Sequence, residues 1–288
     1  MEWGRDSVGG QPFMASGDDS GAANVLLGVP MDFSASYRPG ARFGPAAVRQ
    51  ASYNLEEYSL QLEKSLGDVE FYDAGDLHLP IGNVTKSLDL IETAVADLLA
   101  AKVRPFILGG DHLITLASLR AFTRHYPGLK LVHIDAHADL RDEYCGEELS
   151  HATVVGNAVR SLDLGGVWQF AIRSATQEEH EFARQHTNFF PYQLVKPLTQ
   201  VMDDLTGPVY VTLDIDAVDP AYAPGTGTPE AGGITSQELL EGIHLLGRCQ
   251  VVGFDLVEVA PAYDPSFITA ALAAKIVREA LILFGKQP

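Results

Sequence analysis

The feature that most constrains this chain is a series of short apolar runs, several of which lack the in-and-out alternation of a half-exposed strand. Eight of them read as strands: Asn24–Val29, Glu70–Ala74, Pro105–Leu108, Lys130–Ile134, Val167–Ile172, His186–Phe190, Val209–Ile215 and Val251–Val257. Continuous Val, Ile, Leu and Phe suits a strand that helices cover on both faces. Helical stretches lie between the runs. Pro45 stands ahead of Ala46, Ala47 and Val48, a first turn in which proline's missing donor costs nothing. Asn83 suits the N-cap of Val84–Ala101, whose Leu88, Ile91, Val95, Leu98 and Leu99 form one stripe. Thr235–Ser236–Gln237–Glu238 fits a capping box ahead of Leu239–Leu246, and Ser266–Phe284 is rich in Ala and Leu. This alternation predicts an α/β fold with a mainly parallel sheet covered on both faces.

At 288 residues, 46% of them hydrophobic, the chain can bury a sizeable core as one large unit. No internal repeat or linker divides it. Residues 1–22 are rich in Gly, Ser and Asp and read as a flexible tail or a surface strap, leaving 23–288 as a single domain. The longest nearly uncharged stretch, Phe267–Ile276, is broken by Lys275 and is too short to cross a bilayer. The N-terminus has no basic segment followed by an apolar one, so no secretory signal is expected. Two cysteines, Cys145 and Cys249, argue against a disulfide framework and suit a reducing cytoplasm. A formal charge of −18 argues against nucleic acid as a partner, because phosphate contact needs clustered Lys and Arg. It would attract a small cation, although a solvated acidic surface is its main explanation.

In a parallel α/β sheet, function collects beyond the carboxyl ends of the strands. Three runs here end in dense acid and histidine clusters: Gly109–Gly110–Asp111–His112, Asp135–Ala136–His137–Ala138–Asp139, and Asp214–Ile215–Asp216 continuing to Asp219–Pro220. In extended backbone, residues at i, i+2 and i+4 point the same way, so Asp135, His137 and Asp139 can converge, as can Asp214 and Asp216. Four such carboxylates would repel one another and suffer desolvation unless cations held them. Two divalent ions balance the four charges, with His112 and His137 each offering a neutral nitrogen. The absence of thiolate and the dominance of oxygen suit Mn²⁺ over a structural zinc, with Fe, Co and Ni left open. Two ions about 3.5–4 Å apart would bridge and acidify a water, which points to hydrolysis. Singly, an Asp at a strand end is usually a cap and a His usually a satisfied polar residue. Three coincident clusters are not explained that way. No G-x-S-x-G elbow occurs, which disfavours a serine hydrolase.

These three motifs resemble the signatures of the ureohydrolase family, which contains arginases and agmatinases, and the resemblance runs from Val25 to Leu283. It implies a three-layer αβα arginase-like fold with an eight-stranded parallel sheet, two Mn²⁺ ions, and hydrolysis of a guanidino group to urea. It also implies that His112, Asp135, His137, Asp139, Asp214 and Asp216 are the ligands. Within the family the chain is most similar to bacterial agmatinases. That similarity lies in Gly28–Val29–Pro30–Met31–Asp32, Tyr37–Arg38–Pro39–Gly40–Ala41–Arg42–Phe43–Gly44–Pro45 and Asp73–Ala74–Gly75–Asp76. Pro224–Gly225–Thr226–Gly227–Thr228 and Val257–Glu258–Val259–Ala260–Pro261–Ala262–Tyr263–Asp264 extend it. The implied reaction is agmatine plus water giving putrescine and urea, in polyamine biosynthesis, by a homo-trimer or homo-hexamer. Guanidinobutyrase, arginase or formimidoylglutamase activity would use the same chemistry. A deacetylase-type hydrolase or a silent metal-binding relative fits the intact residues less well.

The resemblance further assigns roles. Asp139 would take the water's proton, and His151 would pass one to the departing amine. Glu258 would hold the guanidinium, and Thr228 would shape the same pocket. His151 has a plainer reading as a cap for the helix starting near Ala152. The acidic segment Leu140–Ser150 would suit a cationic guanidino substrate ending in an amine. Ala138 stands where Thr is common, and Ser150–His151–Ala152–Thr153 where His-Gly-Thr is frequent; neither removes a ligand. Arg49 and Arg173 are expected in structural salt bridges. Phe33, Tyr37 and Phe43 could line the pocket or pack on the protein body.

Overall fold

The computed structural model describes residues 11–17 and 21–285. The chain runs β1 (Asn24–Val29), α1 (Gly44–Ser52), β2 (Tyr58–Ser59), β3 (Lys64–Ser65), β4 (Phe71–Asp76), α2 (Val84–Ala100), β5 (Arg104–Gly109) and α3 (Ile114–His125). It continues β6 (Lys130–Ile134), α4 (Val154–Ser161), β7 (Gly166–Phe170), α5 (Gln177–His186), β8 (Asn188–Phe190), α6 (Val195–Gln200), β9 (Pro208–Asp214), α7 (Ser236–Leu246), β10 (Gln250–Val257) and α8 (Ile268–Phe284). Eight strands form one wholly parallel sheet in the order β4-β1-β5-β10-β9-β6-β7-β8, while β2 and β3 make a separate small hairpin that the sequence reading does not contain.

The sheet is buried on both sides, as the non-alternating strands require. One core joins Leu26, Phe106, Val211 and Phe254 to α1, α6, α7 and α8. The other joins Leu27, Ile107, Leu131 and Tyr210 to α2, α3, α4 and α5. The result is the three-layer α/β fold. Asn83 caps α2 as expected, its side chain accepting from Lys86 N at 3.0 Å, and Thr235 and Glu238 close the expected capping box of α7.

Three expected boundaries move for local reasons. The seventh strand stops at Phe170 because Ala171 turns into left-handed backbone at φ 67°. His186 belongs to the last turn of α5, which the Thr176–Glu179 capping box starts, so the next strand begins only at Asn188. α8 starts at Ile268 after Phe267 at φ 54°. Residues 1–10 and 18–20 of the segment read as a tail or strap lie outside the described residues. Within 11–17, Phe13 is wholly buried, and its N–H donates to Asp73 Oδ2 at 2.7 Å. Arg49 holds the same carboxylate with Nε at 2.8 Å and Nη2 at 2.9 Å, and Asp76 with Nη1, the structural ion pair expected of it. Among the described residues no helix is long and apolar enough to cross a membrane.

Register brings the chemistry together. Ile134 pairs with Leu213, Val257 with Asp214, and Leu256 with Leu108. The carboxyl ends of β6, β9, β10 and β5, the four central strands, are therefore neighbours.

Candidate metal centre

Each functional side chain is placed by the way its strand ends. After β5 the chain turns through Gly110, where a Cβ would lie 1.9 Å from the Met31 carbonyl oxygen; only glycine permits this approach. The turn delivers His112, whose Nδ1 lies 3.1 Å from Asp135 Oδ2, 3.2 Å from Asp139 Oδ2 and 3.3 Å from Asp214 Oδ2. After β6, Asp135 Oδ1 accepts the His137 N–H at 2.6 Å, and the His137 ring turns its Nδ1 to Asp216 Oδ2 at 3.0 Å. After β9, Asp214 caps a short 3₁₀ turn, accepting from Asp216 N at 2.8 Å, while Asp216 Oδ1 accepts from Ala136 N at 3.1 Å. All six residues named from the sequence are thus brought to one place.

Two donor groups can be distinguished. Ligand atoms of His112, His133, Asp135 and Asp139 lie within 4.8 Å of one another, as do those of Asp135, His137 and Asp216. Asp135 belongs to both. Asp214 joins the first through its 3.3 Å approach to His112 Nδ1. His133 is absent from the sequence reading. Its only signal there is its position two residues before Asp135, which puts both on one face of β6.

The electrostatics are those of a site built for cations. Burial works against a charge on His137, but Asp216 and Asp135 more than offset it and hold the imidazole up to about 12. Burial pushes the Asp214 carboxyl well above the usual range, and the charges of Asp216 and Asp135 push it further. Burial and the Asp135 charge also raise Asp216, against the pull of His137. Carboxylates this close and this buried need positive charge between them. His112 Nδ1 gives the direct test of fit. It is buried, makes no hydrogen bond, and has three carboxylate oxygens within 3.3 Å. Nitrogen and oxygen donors without thiolate suit divalent manganese or its neighbours.

The surrounding residues fall into place around this cluster. Glu258, just past β10, accepts the His112 N–H on Oε1 at 2.8 Å. Burial raises its carboxyl well above the usual range, with Asp111 adding to the effect. Asp139 and Glu258 both sit on left-handed backbone, at φ 54° and 63°, a conformation that costs about 1–3 kcal/mol and gathers at functional sites. Thr228 Oγ1 donates to Asp216 Oδ2 at 3.3 Å. His151 lies between Ser34 Oγ, 3.2 Å from Nδ1, and Ser36 Oγ, 3.3 Å from Nε2, edge-on to Tyr144. The turn at Ser150 is closed by Thr153, whose Oγ1 accepts from Ser150 N at 3.0 Å, so the imidazole is not the cap. Ser34 also bonds Asp111 Oδ2 at 2.6 Å, connecting His151 to the loop that carries His112.

Arg173 departs from expectation. Among the described residues it makes no contact salt bridge, acting on Asp219 only as a nearby charge, but donates to the backbone carbonyls of Asp216, Ala217 and Glu230 at 2.7, 3.0 and 2.7 Å, tying the Asp216 turn to the loop carrying Thr228. Phe33 is half-buried, while Tyr37 and Phe43 are exposed. Asp255 and Thr212, also absent from the sequence reading, lie behind His112: Thr212 Oγ1 is 3.0 Å from Nε2 and donates to Asp255 Oδ1 at 2.6 Å.

A parallel sheet covered on both faces, with a His/Asp cluster beyond its central strands, is the arginase-type class of α/β architecture. A profile of the Arginase family matches residues 22–283. The agmatinase of Bacillus subtilis (strain 168) is 46% identical over 286 residues, covering 98% of this chain and 99% of its own. The structure of the agmatine ureohydrolase of Thermoplasma volcanium superimposes with a TM-score of 0.86 at 30% identity, over 96% of each chain. That of the proclavaminate amidino hydrolase from Streptomyces clavuligerus gives 0.87 at 33%, over 96% of this chain and 98% of that one. The chain belongs to the arginase family and is a ureohydrolase.

Proposed function

We propose that this enzyme hydrolyses agmatine to putrescine and urea at a pair of Mn²⁺ ions, as a step of polyamine biosynthesis. His112, Asp135, Asp139 and Asp214 would hold one ion, and Asp135, His137 and Asp216 the other. The observation that carries this reading is that Asp135 belongs to both donor groups, so one carboxylate can join two ions. Bound there, the pair would lower the pKa of a water so that it attacks near neutral pH.

The protein's own groups do the rest. Asp139, beside His112, accepts the attacking water's proton. Glu258 meets the guanidinium with paired charge-assisted hydrogen bonds, and the arriving cation offsets the burial that raises its carboxyl. Thr228 steadies Asp216 beside it. His151, held between two serine hydroxyls, passes a proton to the departing amine. The acidic Asp142, Glu143, Glu147 and Glu148 suit a substrate tail that ends in an ammonium. The same reading takes the enzyme as a cytoplasmic homo-trimer or homo-hexamer.

The likeness to an amidino hydrolase of another substrate favours a second reading, in which the guanidine carries a different tail. Urea release from agmatine, arginine and 4-guanidinobutyrate, run in parallel with added Mn²⁺, separates the two. Agmatine should be cleaved fastest. A higher kcat/KM for either competitor would overturn the assignment.

A further inference from the structure

His133 is wholly buried on β6 and lies within the first donor group, where either of its nitrogens could in principle serve an ion. Its hydrogen bonds decide otherwise. His133 pairs in register with Gln169 of β7, and Gln169 Nε2 approaches His133 Nδ1 at 3.0 Å. The same amide nitrogen donates to the Ala138 carbonyl at 2.8 Å, while Gln169 Oε1 accepts from Thr187 Oγ1 at 3.0 Å. Reversing the amide would set its oxygen against the Ala138 carbonyl oxygen, so the orientation is fixed by the backbone. An amide nitrogen has two hydrogens and no acceptor capacity. One goes to Ala138 and the other to His133 Nδ1, which must therefore offer its lone pair. The ring's single hydrogen is then on Nε2, which lies 2.9 Å from Asp135 Oδ2.

We propose that His133 is a positioning residue: Gln169 fixes its tautomer so that Nε2–H donates to Asp135 and fixes the carboxylate shared by the two ions. With Nε2 protonated and Nδ1 engaged by Gln169, neither nitrogen is free to ligate. Asp135 is thereby gripped at both oxygens, Oδ1 by the His137 N–H at 2.6 Å and Oδ2 by His133 at 2.9 Å. Rotation of the carboxylate, which would change the separation of the two ion positions, is blocked. A ligating carboxylate is held this way by outer hydrogen bonds whose loss typically weakens metal binding by about 10- to 100-fold. The inference rests on the two-ion reading above, and its effect is on ion binding rather than on choice of substrate.

The test is Mn²⁺ binding by the full-length protein after chelation and dialysis, with no substrate present. Calorimetry gives stoichiometry and affinity, and the electron paramagnetic resonance spectrum reports the coupled pair. His133→Phe fills the space but donates nothing, and its Mn²⁺ affinity should fall by about 10-fold or more with a broadened coupled spectrum. His133→Gln restores both partners, an amide N–H toward Asp135 and an oxygen toward Gln169, and should recover affinity to within about threefold. Gln169→Met leaves His133 in place but frees its tautomer, and should weaken binding by about threefold or more. The thermal midpoint of each ion-free variant monitors folding; should His133→Phe not fold, His133→Gln and Gln169→Met decide the matter between them. Wild-type affinity in Gln169→Met, or loss of one whole ion in His133→Gln, would overturn the proposal, the latter by making His133 a ligand. Fewer than two ions in the wild-type protein would instead overturn the two-ion reading. Neither result bears on which guanidine is cleaved.

Discussion

Thr212 Oγ1 donates its hydrogen to Asp255 Oδ1 across 2.6 Å, and Thr212 Oγ1 itself lies 3.0 Å from His112 Nε2. A hydroxyl has one hydrogen, so toward His112 the Thr212 oxygen can only accept, and Nε2 must carry the ring's proton. Nδ1 is left as the lone pair that faces Asp135, Asp139 and Asp214. Asp255 is itself wholly buried, and it also receives Tyr210 OH at 2.6 Å and Thr115 Oγ1 at 2.9 Å. Burial raises its carboxyl, and the three hydroxyls and His112 pull against that rise.

Thr212→Val keeps the shape of the side chain and removes the acceptor. Mn²⁺ affinity is expected to fall about tenfold, because His112 loses the partner that fixes its ring and tautomer. Thr212→Ser should bind within about threefold of wild type. Calorimetric titration of the ion-free proteins measures both, and equal affinity in the valine variant would place the control of His112 elsewhere.

Asp135 and Asp216 should respond differently to truncation. Asp135 belongs to both donor groups and Asp216 to one. Asp135→Ala is therefore expected to lose both ions and all urea production, while Asp216→Ala retains one ion with activity down by about 100-fold or more. Metal content by mass spectrometry after dialysis checks the first part. Two retained ions in Asp135→Ala would remove it from its bridging position.

The sheet was legible in the sequence because burial on both faces leaves uninterrupted apolar runs, and all eight sheet strands stand within a few residues of their expected places. The cluster was legible because its residues follow strand ends at spacings of two. His133 and Asp255 were not, for a common reason. A single polar residue inside an apolar strand has no periodic signature, and its meaning depends on which strands flank it. His133 acquires its role from Gln169 on β7, and Asp255 from Thr212 on β9; neither pairing can be read without the strand order. The β2–β3 hairpin escapes for another reason, since two residues per strand leave no pattern to detect. The role of Arg173 is not legible either, because a guanidinium's natural partner is an acid, whereas the turn after Asp216 presents it with backbone carbonyls instead.

Glu279 on α8 lies far from this chemistry in the chain and gives the fold its own pH dependence. Burial works to raise its carboxyl, but His244 Nε2 at 3.1 Å, Arg278, and Ser59 Oγ at 2.9 Å outweigh it and bring it from 4.5 to about 2. The folded value is thus below the unfolded one. Such a group stabilises the native state fully above the unfolded value of about 4.5, and the stabilisation is lost as pH falls toward about 2. These contacts join α8 to α7 and to the β2–β3 hairpin, so their loss should loosen that side of the core. Glu279→Gln is expected to lower stability at neutral pH by about 3 kcal/mol, since it leaves Arg278 and His244 without their carboxylate. It should also flatten the fall in stability between about pH 5 and pH 3 relative to wild type. Urea denaturation midpoints at neutral pH, pH 5 and pH 3 measure both effects. An equally steep decline in the variant would assign the acid sensitivity to other carboxylates.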